Sequence, residues 1–131
     1  MAVTELRLVV TAEDYEEALR FYRDVLGLPV AASFDSFEGR ATLLDCGRAR
    51  LELFDYAQAR HVDAIEVGRR VAGRIRVAFE VDDTPEVTER LVEGGARVLA
   101  PPTRTPWGSL NSRVEAPAGL QLTLFCDEPG G

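Results

Sequence analysis

The sequence predicts an α+β fold of two βαβββ modules in tandem, their curled mixed sheets enclosing a crevice. The first observation is the stretch Arg74 to Leu99. Ile75, Val77, Phe79 and Val81 alternate with Arg76, Ala78 and Glu80, the period-2 pattern of a sheet strand with two unlike faces. The chain turns at Asp82-Asp83 and starts a helix with Thr84 as N-cap and Pro85 at its first position. That helix stops at Gly94-Gly95. The second observation is that the same order occurs near the N-terminus. Leu6-Arg7-Leu8-Val9-Val10 matches Ile75-Arg76-Val77-Ala78-Phe79, Asp14 falls opposite Asp83, and the helix that follows ends at Gly27. The third is that Leu122-Thr123-Leu124-Phe125 repeats Leu51-Glu52-Leu53-Phe54. A unit recurring at about half the chain length is one supersecondary module used twice.

Taken in order, the first module covers residues 4–56. Its first strand, 5–10, sets Leu6, Leu8 and Val10 on one face and Arg7 and Val9 on the other. In the helix, Tyr15, Ala18, Leu19, Tyr22, Val25 and Leu26 form one apolar stripe, with Asp14 and Glu17 in a capping-box arrangement. Extended segments follow at about 29–36, 40–46 and 48–56, the last two joined at Gly47. Residues 57–73 show no clear period and read as a linker with at most a helical turn, docked through Val62, Ile65 and Val67. The second module covers 74–127. Ala100-Pro101-Pro102 breaks the chain, Thr105-Pro106-Trp107-Gly108 is a turn, and 110–115 with 120–126 form the closing hairpin.

With 131 residues the chain makes one domain with a real core. Twenty-two acidic against 15 basic residues, a net charge of −7, exclude a nucleic-acid partner, whose phosphates demand a basic surface. No apolar run approaches the roughly 20 residues that span a bilayer, so a membrane partner is excluded and a cytoplasmic location expected. In that compartment Cys46 and Cys126 are expected as free thiols.

The run Ala18-Leu19-Arg20-Phe21-Tyr22-Arg23-Asp24-Val25-Leu26-Gly27-Leu28, the strand Arg76 to Asp83 and the closing Ala116 to Phe125 together resemble the vicinal oxygen chelate superfamily of glyoxalase I, extradiol dioxygenases and bleomycin-resistance proteins. The resemblance covers nearly the whole chain. It implies that metal-dependent members hold a divalent ion with His or Glu from the first and last strand of each module. Here those positions are Arg7, Glu52, Arg76 and Thr123. Arginine stays protonated and has no lone pair to give a cation. A hydroxyl is a poor ligand, which leaves one carboxylate where three protein ligands are needed. No metal and no other cofactor is therefore expected. His61, the single histidine, has no His or Cys at chelating spacing.

Two arrangements of Arg7, Glu52 and Arg76 are open: an internal salt-bridge cluster, or a fork for a ligand's carboxylate, carbonyl or phenolate with Glu52 holding an amine or hydroxyl. Trp107 sits in a Pro-Trp-Gly turn followed by Asn111 and Arg113, which resembles the bleomycin-resistance branch, where aromatic rings sandwich a planar antibiotic. Phe34, Phe37, Phe54, Tyr56 and Phe79 are further candidates for such walls. The expected function is metal-free binding and sequestration of an aromatic or cationic small molecule, with a homodimer implied by the resemblance. The alternative is a metal-dependent lyase, isomerase or dioxygenase of the same superfamily, with His61 or Glu5 joining Glu52 as ligands. A non-catalytic regulatory partner is a third class, and it would expose a large apolar patch.

Overall fold

The computed structural model describes residues 2–25, 27–116 and 119–128; Leu26 and Pro117-Ala118 lie outside them. Eight strands make one continuous mixed sheet: β1 (Val3–Thr11), β2 (Val30–Ser36), β3 (Gly39–Asp45), β4 (Arg50–Phe54), β5 (Ile75–Val81), β6 (Arg97–Arg104), β7 (Ser109–Glu115) and β8 (Gln121–Asp127). Their order across the sheet is β2-β3-β4-β1-β5-β8-β7-β6. The two modules join edge to edge where β1 pairs antiparallel with β5, Leu8 opposite Val77. Each first strand also pairs in parallel with its module's last strand, Val9 opposite Glu52 and Ala78 opposite Thr123. The repeat seen in the sequence is therefore a pseudo-two-fold about Leu8 and Val77.

Helices α1 (Tyr15–Leu19) and α3 (Thr84–Glu93) cover one face of the sheet. Under α1, Tyr15 and Leu19 pack on Leu44, Leu51 and Leu53; under α3, Val87 packs on Val81 and Leu124. Asp14 caps α1 by accepting from the Glu17 N–H. The expected single helix then widens into a π-helix over Arg20–Val25. Bonding from i to i+5 puts an extra residue into the turn and rotates the stripe. Tyr22 stays against the core while Phe21 and Val25 are exposed. The cap of α3 is Asp83, not Thr84, whose buried hydroxyl donates to the Leu110 carbonyl and ties the helix to β7.

Two other segments differ from expectation. Ala100-Pro101-Pro102 does not break the chain but lies inside β6. That strand is the sheet's edge, where prolines omit no needed ladder bond, and its register shifts around Ala100 absorb the irregularity. The supposed linker is a helix, α2 (Tyr56–Glu66), capped by Asp55, which accepts from the Gln58 N–H at 2.7 Å. It lies across the face opposite α1 and α3, where Ala59 and Val62 pack on Val9, Ala41, Phe54 and Ala78. The inner face that a plain βαβββ repeat would leave open is thus partly roofed by the chain itself. None of the helices described is long and apolar enough to cross a membrane.

Gly39 marks how closely α2 is seated: a Cβ there would stand 2.2 Å from the Gln58 backbone nitrogen, at a backbone φ of +149°. Gly39→Ala should therefore unseat the helix as well as strain the turn. Gly47, at φ +84° with nothing within 4 Å, is the control. There alanine meets only the left-handed penalty of about 1 kcal/mol. Denaturant unfolding of both variants should show Gly39→Ala clearly the more costly; equal losses would mean α2 is not held there.

Candidate functional site on the concave face

Strand alternation places Glu5, Arg7, Val9 and Thr11 of β1 on the α2 side of the sheet, and the register carries that face to every neighbour. Glu52 and Arg76 flank Val9 from either side. Ala78 and Thr123, then Arg113, continue the row, and Asn111 lies next to Phe125. The four inner positions Arg7, Glu52, Arg76 and Thr123 do share the concave face, but the contacts divide them. Arg7 pairs with Glu5 and stacks over the Phe125 ring, 4.8 Å from its centre. Arg76 is buried; its Nη1 donates to Thr123 Oγ1 at 2.9 Å and its guanidinium lies over Phe54 at 5.5 Å. Arg50 also turns to Glu5, at 3.3 Å.

Glu52 is left out of these pairings. Among the described residues no ion pair reaches its carboxylate, so Arg7 and Arg76 bias it through space instead of closing a salt-bridge cluster. Burial pushes its carboxyl above the usual carboxylate range, and the charges of Arg76 and Arg7 offset that only in part. Burial likewise pulls the Arg76 guanidinium down, with Glu66 the main opposing charge.

The most enclosed polar cluster is one the sequence did not announce. Arg113, 0% exposed, donates from Nη1 to Asp63 Oδ1 at 2.8 Å and from Nη2 to Glu66 Oε1 at 2.9 Å. Its Nε donates to Thr123 Oγ1 at 3.1 Å, so both buried arginines converge on one hydroxyl. Asn111 Nδ2 donates to Glu66 Oε2 at 3.0 Å, and Ser109 Oγ donates to Asn111 Oδ1 at 2.6 Å. Asp63 Oδ2 accepts from Arg70 Nη1 and from the N–H groups of Val71 and Ala72. Burial raises the Asp63 carboxyl, but the Ala72 and Val71 amides together with Arg113 and Arg70 outweigh it and hold the net pKa low. Between Arg76 and Asp63, under α2, the free space is about 10 Å³, room for one water. That space under α2 is too small for an organic ligand.

The other expected site residues scatter. Phe54 is core beneath α2, Asn111 is buried in the Arg113 network, and Phe79 packs on the opposite face of the sheet beside Val87 of α3. Phe34 and Phe37 are exposed, on β2 and the turn after it, at one end of the strand order. Trp107 is half exposed in the turn before β7, at the other end. Tyr56 is exposed at the first position of α2. His61 lies on α2 with its Nδ1 3.8 Å from Glu38. Cys46 and Cys126 are free thiols.

A divalent ion does not fit the inner positions. Arg76 spends a donor on Thr123, Arg7 is paired with Glu5, and Glu52 alone offers an anionic oxygen. Among the described residues no group of three or more His, Cys, Asp or Glu could hold a metal ion.

A family model for the Glyoxalase/Bleomycin resistance protein/Dioxygenase superfamily matches residues 6–124. The chain belongs to this superfamily. Its fold is that of methylmalonyl-CoA epimerase from Streptomyces coelicolor, solved with 2-nitronate-propionyl-CoA, at a TM-score of 0.68 and 20% identity over 98% of this chain and 100% of that one. The methylmalonyl-CoA epimerase of Mycobacterium tuberculosis is similar at 0.68 and 19%, covering 97% and 90%. A hypothetical protein from Bacillus halodurans reaches 0.69 at 14% identity, over 95% and 94%. Comparison with curated proteins found no match. Identities this low show a common fold within the superfamily, which holds proteins of different activities.

The raised Glu52 pKa carries a sign. A carboxyl harder to ionise folded than unfolded contributes stability while protonated and loses it as pH rises through the raised value. Glu52→Gln should therefore be more stable than wild type at neutral pH, with the two converging as pH falls below the ordinary carboxyl range. Thermal melts across that range check it; a variant less stable at neutral pH would mean that the carboxylate has a partner.

Proposed function

We propose that this chain is a metal-independent small-molecule binding protein that holds an aromatic or other hydrophobic ligand against its concave face. The observation that carries the reading is Glu52: a half-buried carboxylate with no ion-pair partner among the described residues, flanked by two arginines already engaged. A desolvated carboxylate in that condition favours a ligand that brings a donor, a hydroxyl or an amine, to replace lost hydration. Arg7, half-buried and stacked on Phe125, offers a cationic edge beside it. Exposed Trp107 and Phe34 supply flat apolar surface, one towards each end of the strand order. Membership of a superfamily that includes bleomycin-resistance proteins supports an antibiotic as one such ligand.

A second reading has one observation in its favour. The raised pKa of Glu52 brings it nearer the range useful for moving protons, so a metal-free enzyme would use it as general base on the bound molecule. Binding and turnover separate in one experiment. Trp107 is the single tryptophan, and its fluorescence is followed while planar aromatic antibiotics of the bleomycin and enediyne classes are added, with and without EDTA. Saturable quenching indifferent to EDTA, with the ligand recovered at unchanged mass and stereochemistry, is the expected result. Binding that needs added metal would sink the proposal, and recovery of an altered ligand would move the chain to the enzymes.

A further inference from the structure

The Arg113 network is built unequally from its two sides. The sheet supplies donors: Arg113 and Asn111 from β7, with Arg76 from β5 sharing Thr123 with Arg113. The helix supplies acceptors. Of these, Asp63 is bound to its own connection as well, through Arg70, Val71 and Ala72. Glu66 is different: its carboxylate is held from the sheet, one oxygen by Arg113 Nη2 and the other by Asn111 Nδ2. A guanidinium and an amide gripping the two oxygens of one carboxylate is a recognition geometry complete on the sheet side. Its present occupant is the last residue of an eleven-residue helix, whose C-cap Val67 precedes left-handed Gly68.

Exchange of one carboxylate for another at this seat keeps the charge balance of the pair. A buried ion pair is weakly stabilising overall, because desolvating both charges offsets most of their attraction, whereas leaving one partner alone is costly. As α2 lifts, Glu66 returns to water and Asp63 also leaves Arg113 Nη1, which keeps Gln121 Oε1 at 3.2 Å as an acceptor, while an incoming carboxylate takes Glu66's place on Nη2. The roof over the concave face then opens in the same event that fills the receptor. We propose that Arg113 and Asn111 form a carboxylate-binding subsite, that Glu66 is its built-in occupant, and that a ligand's carboxylate displaces Glu66 together with α2. This rests on the concave face being the binding face, and it adds a carboxylate to the ligand's chemistry.

Formate is the probe. Glu66→Ala leaves the receptor facing a carboxylate-sized gap, so formate should raise the variant's melting temperature saturably, by a few degrees more than equimolar chloride, with no such difference in wild type. Equal responses of variant and wild type overturn the proposal. Should the variant not fold, amide exchange of the wild type decides. The α2 amides should exchange faster than those of β1 and β5, and faster again in formate than in chloride; α2 exchange indifferent to formate overturns it. Neither arm involves Trp107 or an aromatic ligand. Failure here with quenching intact removes only the subsite, and the reverse removes only the aromatic-binding reading.

Discussion

The arrangement of the concave face depends on one fully buried guanidinium. Arg113 meets two carboxylates from a helix that belongs to neither module, and so fixes where that helix lies. Without α2, the duplicated sheet would present Val9, Phe54, Ala78 and Arg76 to solvent on its inner face. With it, the apolar part is packed under Ala59 and Val62, and the polar part is organised into one connected set of hydrogen bonds. Each member satisfies another, which is the condition on which buried polar groups are tolerated.

The same arrangement changes what the superfamily's inner positions can do. Arginine at two of them replaces donors of electron pairs with donors of protons, and threonine at a third serves as the meeting point of two guanidinium groups. Glu52, at the fourth, is then neither a member of a metal site nor part of a salt bridge. What these side chains offer is hydrogen bonding to polar groups, since only Glu52 among the four brings an anionic oxygen. Likeness to methylmalonyl-CoA epimerases in fold carries no such residue-level statement, which has to come from the side chains themselves.

Much of the fold was legible because both modules write the same pattern, period-2 strands after which a capped helix begins, and the register of the structure keeps Arg7 and Arg76 as pseudo-two-fold mates. Alternation also put Arg7, Glu52, Arg76 and Thr123 on one face correctly. What strand alternation cannot give is which partner a side chain on that face chooses, and Glu5 at a neighbouring position took the arginine expected beside Glu52. The helix α2 escaped notice for a definite reason. Its buried positions 59, 62, 63 and 66 have helical spacing, but two of the four are carboxylates, which read as a solvated face. Asp55 as cap and the i, i+3, i+4, i+7 set together were the available signal. Arg113 is legible only as a companion of Asn111 after the Pro-Trp-Gly turn, and nothing local says that it meets two carboxylates from α2. Prolines in β6 read as breakers because nothing local says that a strand is an edge.

With arginine at two of its inner positions the concave face should hold no divalent ion, and calorimetric titration of the purified chain with Mn²⁺, Co²⁺, Ni²⁺ and Zn²⁺ tests this most directly: no saturable binding of any of them is expected. One ion bound per chain, lost in Glu52→Gln, would contradict it and return the concave face to metal chemistry.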